Sequence, residues 1–370
     1  MPVKPEPTAV DLFSGGGALS LGLRRAGFKV VAAVEINKEI AKTYEANNPD
    51  TNLVIEDIRN VTGSRLLEGI DQGSVDLVAG CPPCQGFSSL TSKYKRKDPR
   101  NDLVLEMGRM VKELRPNMVM MENVPGLADR GKLVLNKFIK ELELMGYIVT
   151  WDVLQLANYG VPQSRRRLVL LAGKGFEIPL PQPSHSRKGD RKKNLKKWLT
   201  LRDAIKGMKK PIALSSARSS GGPRKYNWHV VSDLSEVSKE RYRVTKPGTS
   251  RYSLPADLRP RCHANEERGF SNVYGRMSWA QVPPTITGGC TTPCKGRFGH
   301  PNQLRTISVR EAAMIQTFPK SYKFETDYLI TACEIVGNAL PPKFAEKAAR
   351  QCARFFRTFS EKQRKRHSDT

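Results

Sequence analysis

The sequence lacks an apolar stretch long enough to cross a lipid bilayer, and residues 1–7 contain no apolar segment of the signal-peptide kind. We therefore expect a cytoplasmic protein with no membrane partner. Cysteine is scarce as well: seven cysteines, an odd number in a chain of 370 residues, do not form a disulfide framework. We expect reduced thiols in a reducing compartment.

Acidic residues are few compared with basic ones. Aspartate and glutamate number 36 against 62 lysines and arginines, which gives a formal net charge of +26 at pH 7. Such an excess indicates a polyanionic partner, because each phosphate that a cation neutralises releases condensed counterions. Nucleic acid is the favoured partner, since neither an amphipathic anchor nor a lipidation signal accompanies the charge. A merely solvated basic surface is the alternative that composition leaves open.

The first half of the chain alternates short apolar runs with helical patterns. Continuous Val, Ile and Leu runs separated by helices are typical of a mostly parallel sheet covered on both faces. The predicted strands are 8–14, 29–36, 52–57, 75–81, 118–124, 147–155 and 167–174. The predicted helices are 18–26, 38–47, 102–114 and 132–145. This pattern predicts an α/β fold with a Rossmann-like sheet, in which ligands bind beyond the carboxyl ends of the strands.

The amino-acid composition changes after the last predicted strand. Residues 178–304 are rich in Gly, Pro, Ser and Arg, with a dense run of Lys and Arg between 185 and 210. We predict a smaller, loop-rich domain there. Helical patterns return at 309–318 and 342–359. Residues 305–370 are therefore predicted to rejoin the first domain, residues 1–177.

A glycine cluster and two acids fall at predicted strand ends. Gly15 to Gly17 follow the first strand, where bare backbone can approach a ligand closely. Glu35 is placed to accept hydrogen bonds from ribose hydroxyls, and Asp57 to accept one from an adenine amino group. Three glycines alone fit an ordinary tight turn equally well, and their spacing is not that of the NAD type. The two acids favour a site for an adenosine cofactor.

A stiff segment, Gly80-Cys81-Pro82-Pro83-Cys84-Gln85, follows the fourth strand. Its two prolines exclude helix and hold the next thiol in a fixed loop, as a nucleophile requires. The alternatives are a buried structural cysteine, a redox pair, or half of a zinc site made by Cys81 and Cys84. No second Cys or His pair at suitable spacing completes a zinc site, so we predict no metal.

Acidic and basic side chains follow the later strands. Glu122 ends the fifth strand, beside the Cys84 loop if the sheet has the usual order, where a carboxyl could share a proton with a ring nitrogen. Taken alone, such a glutamate is more often an ion-pair partner. Arg165 and Arg167, two residues apart, are predicted to point the same way. Phosphate contact or a structural ion pair is the alternative for either arginine.

Together these segments resemble the cytosine-5 DNA methyltransferase family, in both order and spacing, over roughly residues 8–175 and 275–350. The motifs that carry the resemblance are Phe13-Ser14-Gly15-Gly16-Gly17, Pro83-Cys84-Gln85, Glu122-Asn123-Val124, Gln163-Ser164-Arg165-Arg166-Arg167, Arg305-Thr306-Ile307-Ser308-Val309-Arg310-Glu311-Ala312-Ala313 and Gly337-Asn338-Ala339. Two positions depart from the pattern: Cys81 stands where Gly is common, and Ile335 where Gln often precedes the Gly-Asn pair. Neither carries a reacting group.

The resemblance implies an S-adenosylmethionine-dependent methyltransferase sheet with a target-recognition domain at 178–304. It implies that Cys84 adds to carbon 6 of cytosine while Glu122 engages nitrogen 3, and that one of Arg165 and Arg167 holds the base carbonyl. The residues implied for cofactor binding are Phe13, Gly15, Gly17, Glu35, Asp57, Ile58, Pro83 and Asn338. Because this chemistry cannot occur inside stacked DNA, the base must be flipped out of the duplex.

The implied partners are double-stranded DNA, bound by a monomer, and a restriction endonuclease that acts on the same site. The segment 93–100 is expected to close over DNA. Candidates for phosphate contact are Arg187, Lys188, Arg191, Lys192 and Lys193. Three alternatives stay open: a tRNA cytosine-5 methyltransferase, a non-catalytic DNA-binding relative, and an NAD-dependent oxidoreductase. The sequence does not predict which DNA sequence is recognised.

Overall fold

The computed structural model describes residues 6–70, 75–83, 102–260 and 271–368. The chain divides into two compact units. The first contains Met1–Tyr159, Arg166–Pro183 and Leu340–Thr370, and the second contains Gly160–Arg165 and Ser184–Ala339. Among the described helices, none combines the length and apolarity needed to cross a membrane.

A seven-stranded sheet forms the centre of the first unit. Its strands are β1 (Thr8–Leu12), β2 (Lys29–Glu35), β3 (Asn52–Ile55), β4 (Leu77–Gly80), β5 (Met118–Asn123), β6 (Tyr147–Gln155) and β7 (Arg166–Lys174). Their order is β3-β2-β1-β4-β5-β7-β6, in which β1 to β5 are parallel and β7 is antiparallel to both of its neighbours. The predicted α/β fold with a Rossmann-like sheet is confirmed.

Helices cover this sheet because its apolar strands are buried on both faces. They are α1 (Ala18–Arg25), α2 (Lys38–Asn47), α3 (Gly63–Leu66), α4 (Leu103–Leu114), α5 (Gly126–Asp129), α6 (Lys132–Leu144) and a C-terminal helix (Pro342–Ser368). The C-terminal helix packs closely on α1: a Cβ added at Gly22 would lie 2.4 Å from Cβ of Ala345. This close approach explains why glycine occupies the middle of α1.

The second unit has little regular sheet. Its short strands are β8 (His185–Ser186), β9 (Lys196–Lys197), β10 (Ile212–Ala213) and β11 (Val230–Val231). Its helices are α7 (Leu201–Ile205), α8 (Leu214–Ser219), α9 (Glu236–Val244), α10 (Val309–Ile315) and α11 (Leu329–Asn338). Within the described part of 178–304, three short helices, α7 to α9, separate the loops, and the sequence did not predict them.

Buried arginines hold the loops of the second unit together. The Arg276 guanidinium donates to the carbonyls of His300, Tyr242 and Pro301 at 3.0, 2.8 and 2.5 Å. Arg310 donates to the carbonyls of Asn227 and Tyr322, both at 2.8 Å. Such contacts satisfy backbone groups that no strand or helix pairs.

A buried ion pair fixes the start of α10. Nη1 and Nη2 of Arg305 lie 2.7 and 2.8 Å from the two carboxylate oxygens of Glu311. Burial raises the pKa of Glu311, but the hydrogen bonds and charge of Arg305 outweigh it and hold that pKa below its ordinary value. The Glu311 carboxylate also accepts from the backbone of Ser308, which completes a capping box.

The units differ from the predicted domain boundaries. Residues 305–339 lie in the second unit rather than the first, because α10 packs there against α7, α11 and β11. The second unit also takes in Gly160–Arg165, a short segment before β7. Only the chain from Leu340 onward returns to the first unit, through the C-terminal helix.

A buried carboxyl lies under the first turn of α1. Asp11 of β1 is 0% exposed, and its Oδ2 accepts a hydrogen bond of 2.6 Å from the Ser20 hydroxyl. That hydroxyl lies 2.7 Å from the hydroxyl of Tyr44, which links β1, α1 and α2. The other Asp11 oxygen has no hydrogen-bond partner among the described residues. Burial raises the pKa of Asp11 to about 7.

The raised pKa predicts a stability that depends on pH. Because the folded protein binds this proton more tightly than the unfolded chain, Asp11 costs stability as the pH rises from about 4 through about 7. Asp11→Asn removes the titrating group. The free energy of unfolding of the variant, relative to that of the wild type, should therefore increase by about 2–3 kcal/mol between pH 5 and pH 8. Urea unfolding of both proteins at the two pH values measures the difference. If the two proteins differ in free energy of unfolding by the same amount at pH 5 and at pH 8, Asp11 does not bind a proton in this pH range.

Candidate active site

The carboxyl ends of four parallel strands lie level at one edge of the sheet. In the register, Leu12 is paired with both Val34 and Gly80, and Gly80 with Met121. Backbone bonds continue this alignment past the strands: Ser14 donates to the carbonyl of Val34 at 2.9 Å. The residues that follow β1, β2, β4 and β5 therefore start from one edge, where ligands bind in such sheets.

The chain leaves β1 through a turn with unusual backbone angles. Phe13, Gly15 and Gly17 have φ values of 58°, 54° and 86°, in the left-handed region. An aromatic residue rarely adopts such a φ, so the turn is strained at Phe13. A Cβ added at Gly15 would meet nothing within 4 Å. Glycine at position 15 adopts the positive φ that the turn requires, and the space beside its backbone is open.

The Glu35 carboxylate braces this turn. Its Oε2 accepts from the Gly15 amide and its Oε1 from the Asn37 amide, both at 2.8 Å. Burial raises the pKa of Glu35, and the hydrogen bonds from Asn37 and Gly15 oppose that rise. Each oxygen has a lone pair left for a further donor. Glu35 thus joins the ends of β1 and β2 and can still accept a hydrogen bond.

Asp57 and Ile58 follow β3 and differ in exposure. The Asp57 side chain accepts a hydrogen bond of 3.0 Å from the Arg59 amide and lies 3.3 Å from the Arg59 guanidinium. The Ile58 side chain is buried in the core, and its carbonyl accepts from Arg109 at 2.7 Å. Asp57 therefore presents a carboxylate at this edge, whereas the Ile58 side chain packs inward.

A hydrogen bond ties the ends of β4 and β5 together. Asn123 Nδ2 donates to the carbonyl of Pro82 at 3.1 Å, and both residues are buried. Pro83, half-buried, is the last described residue before a gap. Cys84 lies outside the described residues, as does the predicted segment 93–100. The structure therefore fixes the backbone that immediately precedes Cys84.

Glu122, beside Asn123, is 5% exposed and ion-paired. Nε of Arg167 on β7 lies 2.7 Å from Oε1 of Glu122. The contact does not meet the geometry of a hydrogen bond, and this oxygen has no hydrogen-bond donor among the described residues. The antiparallel pairing of β5 with β7 brings the two side chains together. The result is a buried carboxylate whose charge is compensated by Arg167.

Arg165 behaves differently from Arg167, against the expectation that both point the same way. It precedes β7 and belongs to the second unit. Its buried guanidinium donates to the carbonyls of Ile286, Gly337 and Ala339 at 3.0–3.3 Å. The two-residue alternation applies only within a strand, and Arg165 stands outside it. In the structure, Arg165 holds backbone segments of the second unit together.

Asn338 is the last residue of α11 and is exposed. The residue before it lies against another segment of the second unit: a Cβ added at Gly337 would lie 2.1 Å from the carbonyl carbon of Thr287. Gln316 donates to the carbonyl of Val336 at 2.6 Å, and its amide also pairs with Gln163. The Gly-Asn motif is thus held firmly within the second unit.

Two residues of this edge escaped the sequence analysis. Asn123 was noted only as part of a motif, yet its side chain makes the bond to Pro82. Ser14 has a buried hydroxyl without a hydrogen-bond partner among the described residues. The sequence did show that Ser14 is a polar residue within the glycine turn. No local pattern predicted that the Asn123 side chain contacts Pro82.

The sequence of this chain matches one protein family over nearly its whole length. The model of the C-5 cytosine-specific DNA methylase family matches residues 8–354. The type II methylase M.HgiDII of Herpetosiphon aurantiacus is 36% identical over 363 residues, which cover 96% of this chain and 98% of the relative. The type II methyltransferase M1.HphI of Haemophilus parahaemolyticus is 34% identical over 348 residues, which cover 92% and 85%.

Solved structures share the fold. A prophage-encoded E. coli protein described as a DNA modification methyltransferase superposes with a TM-score of 0.70 at 23% identity, covering 95% of this chain and 99% of the other. The Dnmt2 methyltransferase of S. pombe gives 0.61 at 16% identity, covering 92% and 96%. At these identities the likeness concerns the fold alone. The matched family model and the two sequence relatives show that the chain belongs to the C-5 cytosine-specific DNA methylase family.

Proposed function

We propose that this protein transfers a methyl group from S-adenosylmethionine to carbon 5 of cytosine in a specific sequence of duplex DNA. The observation that carries the proposal is the buried, ion-paired Glu122 carboxylate, whose neighbour Asn123 binds the backbone two residues before Cys84. This contact supports a nucleophile loop that starts near the proposed acid. The resemblance of the sequence motifs to this family implies the roles of Cys84 and Glu122.

The first unit offers residues that fit S-adenosylmethionine. The open space at Gly15 leaves room for a ligand against the backbone, and the unpaired Ser14 hydroxyl lies in the same turn. Glu35 can accept from ribose hydroxyls, and Asp57 from the adenine amino group. Phe13, Gly17, Pro83 and the backbone of Ile58 complete the proposed surface in this unit, and Asn338 stays a predicted cofactor residue. When bound, the cofactor supplies an electrophilic methyl group on a sulfonium.

Cys84 and Glu122 would make carbon 5 of cytosine nucleophilic. The thiolate adds to carbon 6 while Glu122 hydrogen-bonds or protonates nitrogen 3, so the electron pair moves to carbon 5. Transfer of the methyl group to carbon 5 would leave S-adenosylhomocysteine. A base would then remove the proton of carbon 5, and the electron pair of that C–H bond would expel the Cys84 thiolate from carbon 6. This route divides one prohibitive step into several easier ones. Glu122, held 2.7 Å from Arg167, would share its proton with nitrogen 3, which accepts it.

Arg167 is the arginine that we assign to the reacting base. Its Nε pairs with Glu122, which holds the carboxylate, and one terminal nitrogen donates to the carbonyl of Arg166 at 2.8 Å. The donors that remain can hold the cytosine carbonyl and neutralise developing charge. Arg165, predicted as a second catalytic residue, is instead proposed as a positioning residue, because its donors already bind three carbonyls.

The partner that we propose is a duplex from which the target base is flipped, since stacked DNA hides carbon 6 from any thiol. The named relatives are type II methylases and methyltransferases. By analogy the second unit would recognise the target sequence, and a restriction endonuclease of the same specificity would act beside a monomeric enzyme.

Methyl transfer to nucleic acid tests the function. We expect label from S-adenosylmethionine in duplex DNA and none in tRNA, with Cys84→Ser inactive but still able to bind the cofactor by calorimetry. Bisulfite sequencing of the product then gives the methylated position. Transfer to tRNA alone would favour the RNA enzyme, and full activity of Cys84→Ser would remove the proposed nucleophile.

Replacing the proposed acid should slow catalysis without loss of fold. Glu122→Gln keeps the size of the side chain but removes its charge and its ability to share a proton, so kcat should fall roughly 10²–10⁴-fold. Glu143→Gln, on the exposed face of α6, is the matched control and should keep wild-type kcat. Single-turnover kinetics with saturating DNA and cofactor measure both variants. Equal rates for Glu122→Gln and its control would exclude Glu122 from the chemistry.

A further inference from the structure

A loop of the second unit, residues 184–198, concentrates positive charge at the surface; we call it the basic loop. It contains β8 and β9 and carries seven cationic side chains against one carboxylate, Asp190. Every one of these cations belongs to an exposed residue. The cations are Arg187, Lys188, Arg191, Lys192, Lys193, Lys196 and Lys197.

The basic loop has a defined backbone. At its base, the amides of Lys196 and Trp198 donate to the carbonyls of Ser184 and Ser186 at 3.1 and 2.9 Å. Nearer its tip, Asp190 and Leu195 exchange two backbone hydrogen bonds of 2.8 and 2.7 Å. The Asp190 carboxylate accepts from the Lys193 amide at 3.2 Å, inside the loop. A fixed backbone presents its cations without the full entropy cost of ordering a free chain.

The cations of the basic loop differ from others in the chain. Some exposed cations elsewhere pair with acids of their own helix, as Lys239 does with Glu236 and Arg350 with Glu346. The buried arginines of the second unit bind carbonyls or Glu311. In the part of the chain that the structure describes, no cation of the basic loop makes an ion pair. Their charge is therefore uncompensated and available to an anionic ligand.

We propose that the basic loop binds the phosphate backbone of duplex DNA without reading its sequence. This inference rests on the proposed function, since it takes DNA as the polyanion. Seven cations on a short, ordered loop fit a row of phosphates, whose contacts set affinity and position but carry no sequence information. The loop therefore strengthens binding to any duplex and makes it strongly dependent on salt.

A triple substitution at the tip tests the proposal. Arg191→Gln/Lys192→Gln/Lys193→Gln removes three charges, and Lys132→Gln/Lys137→Gln/Lys140→Gln removes three exposed charges from α6 as the matched control. Binding of a duplex of arbitrary sequence, about 30 base pairs long, is measured by fluorescence anisotropy between about 50 and 300 mM salt. Each phosphate contact contributes about −0.9 to the slope of log K against log salt.

We expect the tip variant to bind more weakly and its slope to become shallower by about 1–3, while the α6 control keeps the wild-type slope. The tip variant should also raise KM for DNA and methylate the same positions as the wild type. An unchanged slope overturns the proposal, as does a change in the methylated sequence. Loss of binding to phosphatidylserine vesicles with an unchanged DNA slope would assign the loop to a lipid surface instead.

Failure of this inference can be told apart from failure of the proposed function. Methyl incorporation by the wild type into phage DNA, which offers many sequences, is measured on the same preparation. If the wild type methylates DNA and the slope of the tip variant is unchanged, only the role of the basic loop is lost. If the wild type transfers no methyl group to any DNA, the proposed function itself fails.

Discussion

The hydrogen bond from Asn123 to the carbonyl of Pro82 is the contact on which the arrangement of the site depends. It joins the ends of β4 and β5, so the stiff segment before Cys84 and the carboxylate of Glu122 start from neighbouring points. The proline pair permits this, since it restrains the backbone and exposes a carbonyl that no strand pairs. Across the sheet, Glu35 makes an equivalent link between β1 and β2. Two side-chain bridges thus organise the two halves of one edge.

Arginine has two separate uses in the second unit. Where regular structure is sparse, buried guanidinium groups at Arg165, Arg276 and Arg310 bind backbone carbonyls and replace the pairing of a sheet. Burial lowers the pKa of Arg310 to about 10, which leaves it charged at neutral pH. The basic loop keeps its cations outside instead. The net charge of +26 therefore overstates the charge available to a polyanion.

The sheet could be predicted from the sequence because a buried parallel strand leaves a continuous apolar run. The predicted strands at 118–124 and 147–155 agree with β5 and β6 to within one residue at each end. The glycine turn, Glu35 and Glu122 followed from the same reasoning, since strand ends mark the ligand edge of such a sheet. Helix α11 was missed, because its β-branched residues and its Gly-Asn end do not resemble a typical helix.

Contacts between distant parts of the chain could not be predicted. Arg165 binds the carbonyl of Ala339, 174 residues away, and no local pattern distinguishes such an arginine from one that meets a substrate. The compact unit to which residues 305–339 belong likewise depends on the long-range packing of α10, which no local pattern reports. Periodicity reports which face is buried, and it does not report the partner.

The central claim is that the Cys84 sulfur forms a bond to carbon 6 of an extruded cytosine. Duplex DNA that contains 5-fluorocytosine tests it most directly, because fluorine at carbon 5 cannot leave as a proton does and the enzyme stays attached. With S-adenosylmethionine present, mass spectrometry of the digested complex should find the modified base on the peptide that contains residue 84. Methylation of unsubstituted DNA without any such adduct, or an adduct at another residue, would contradict the account.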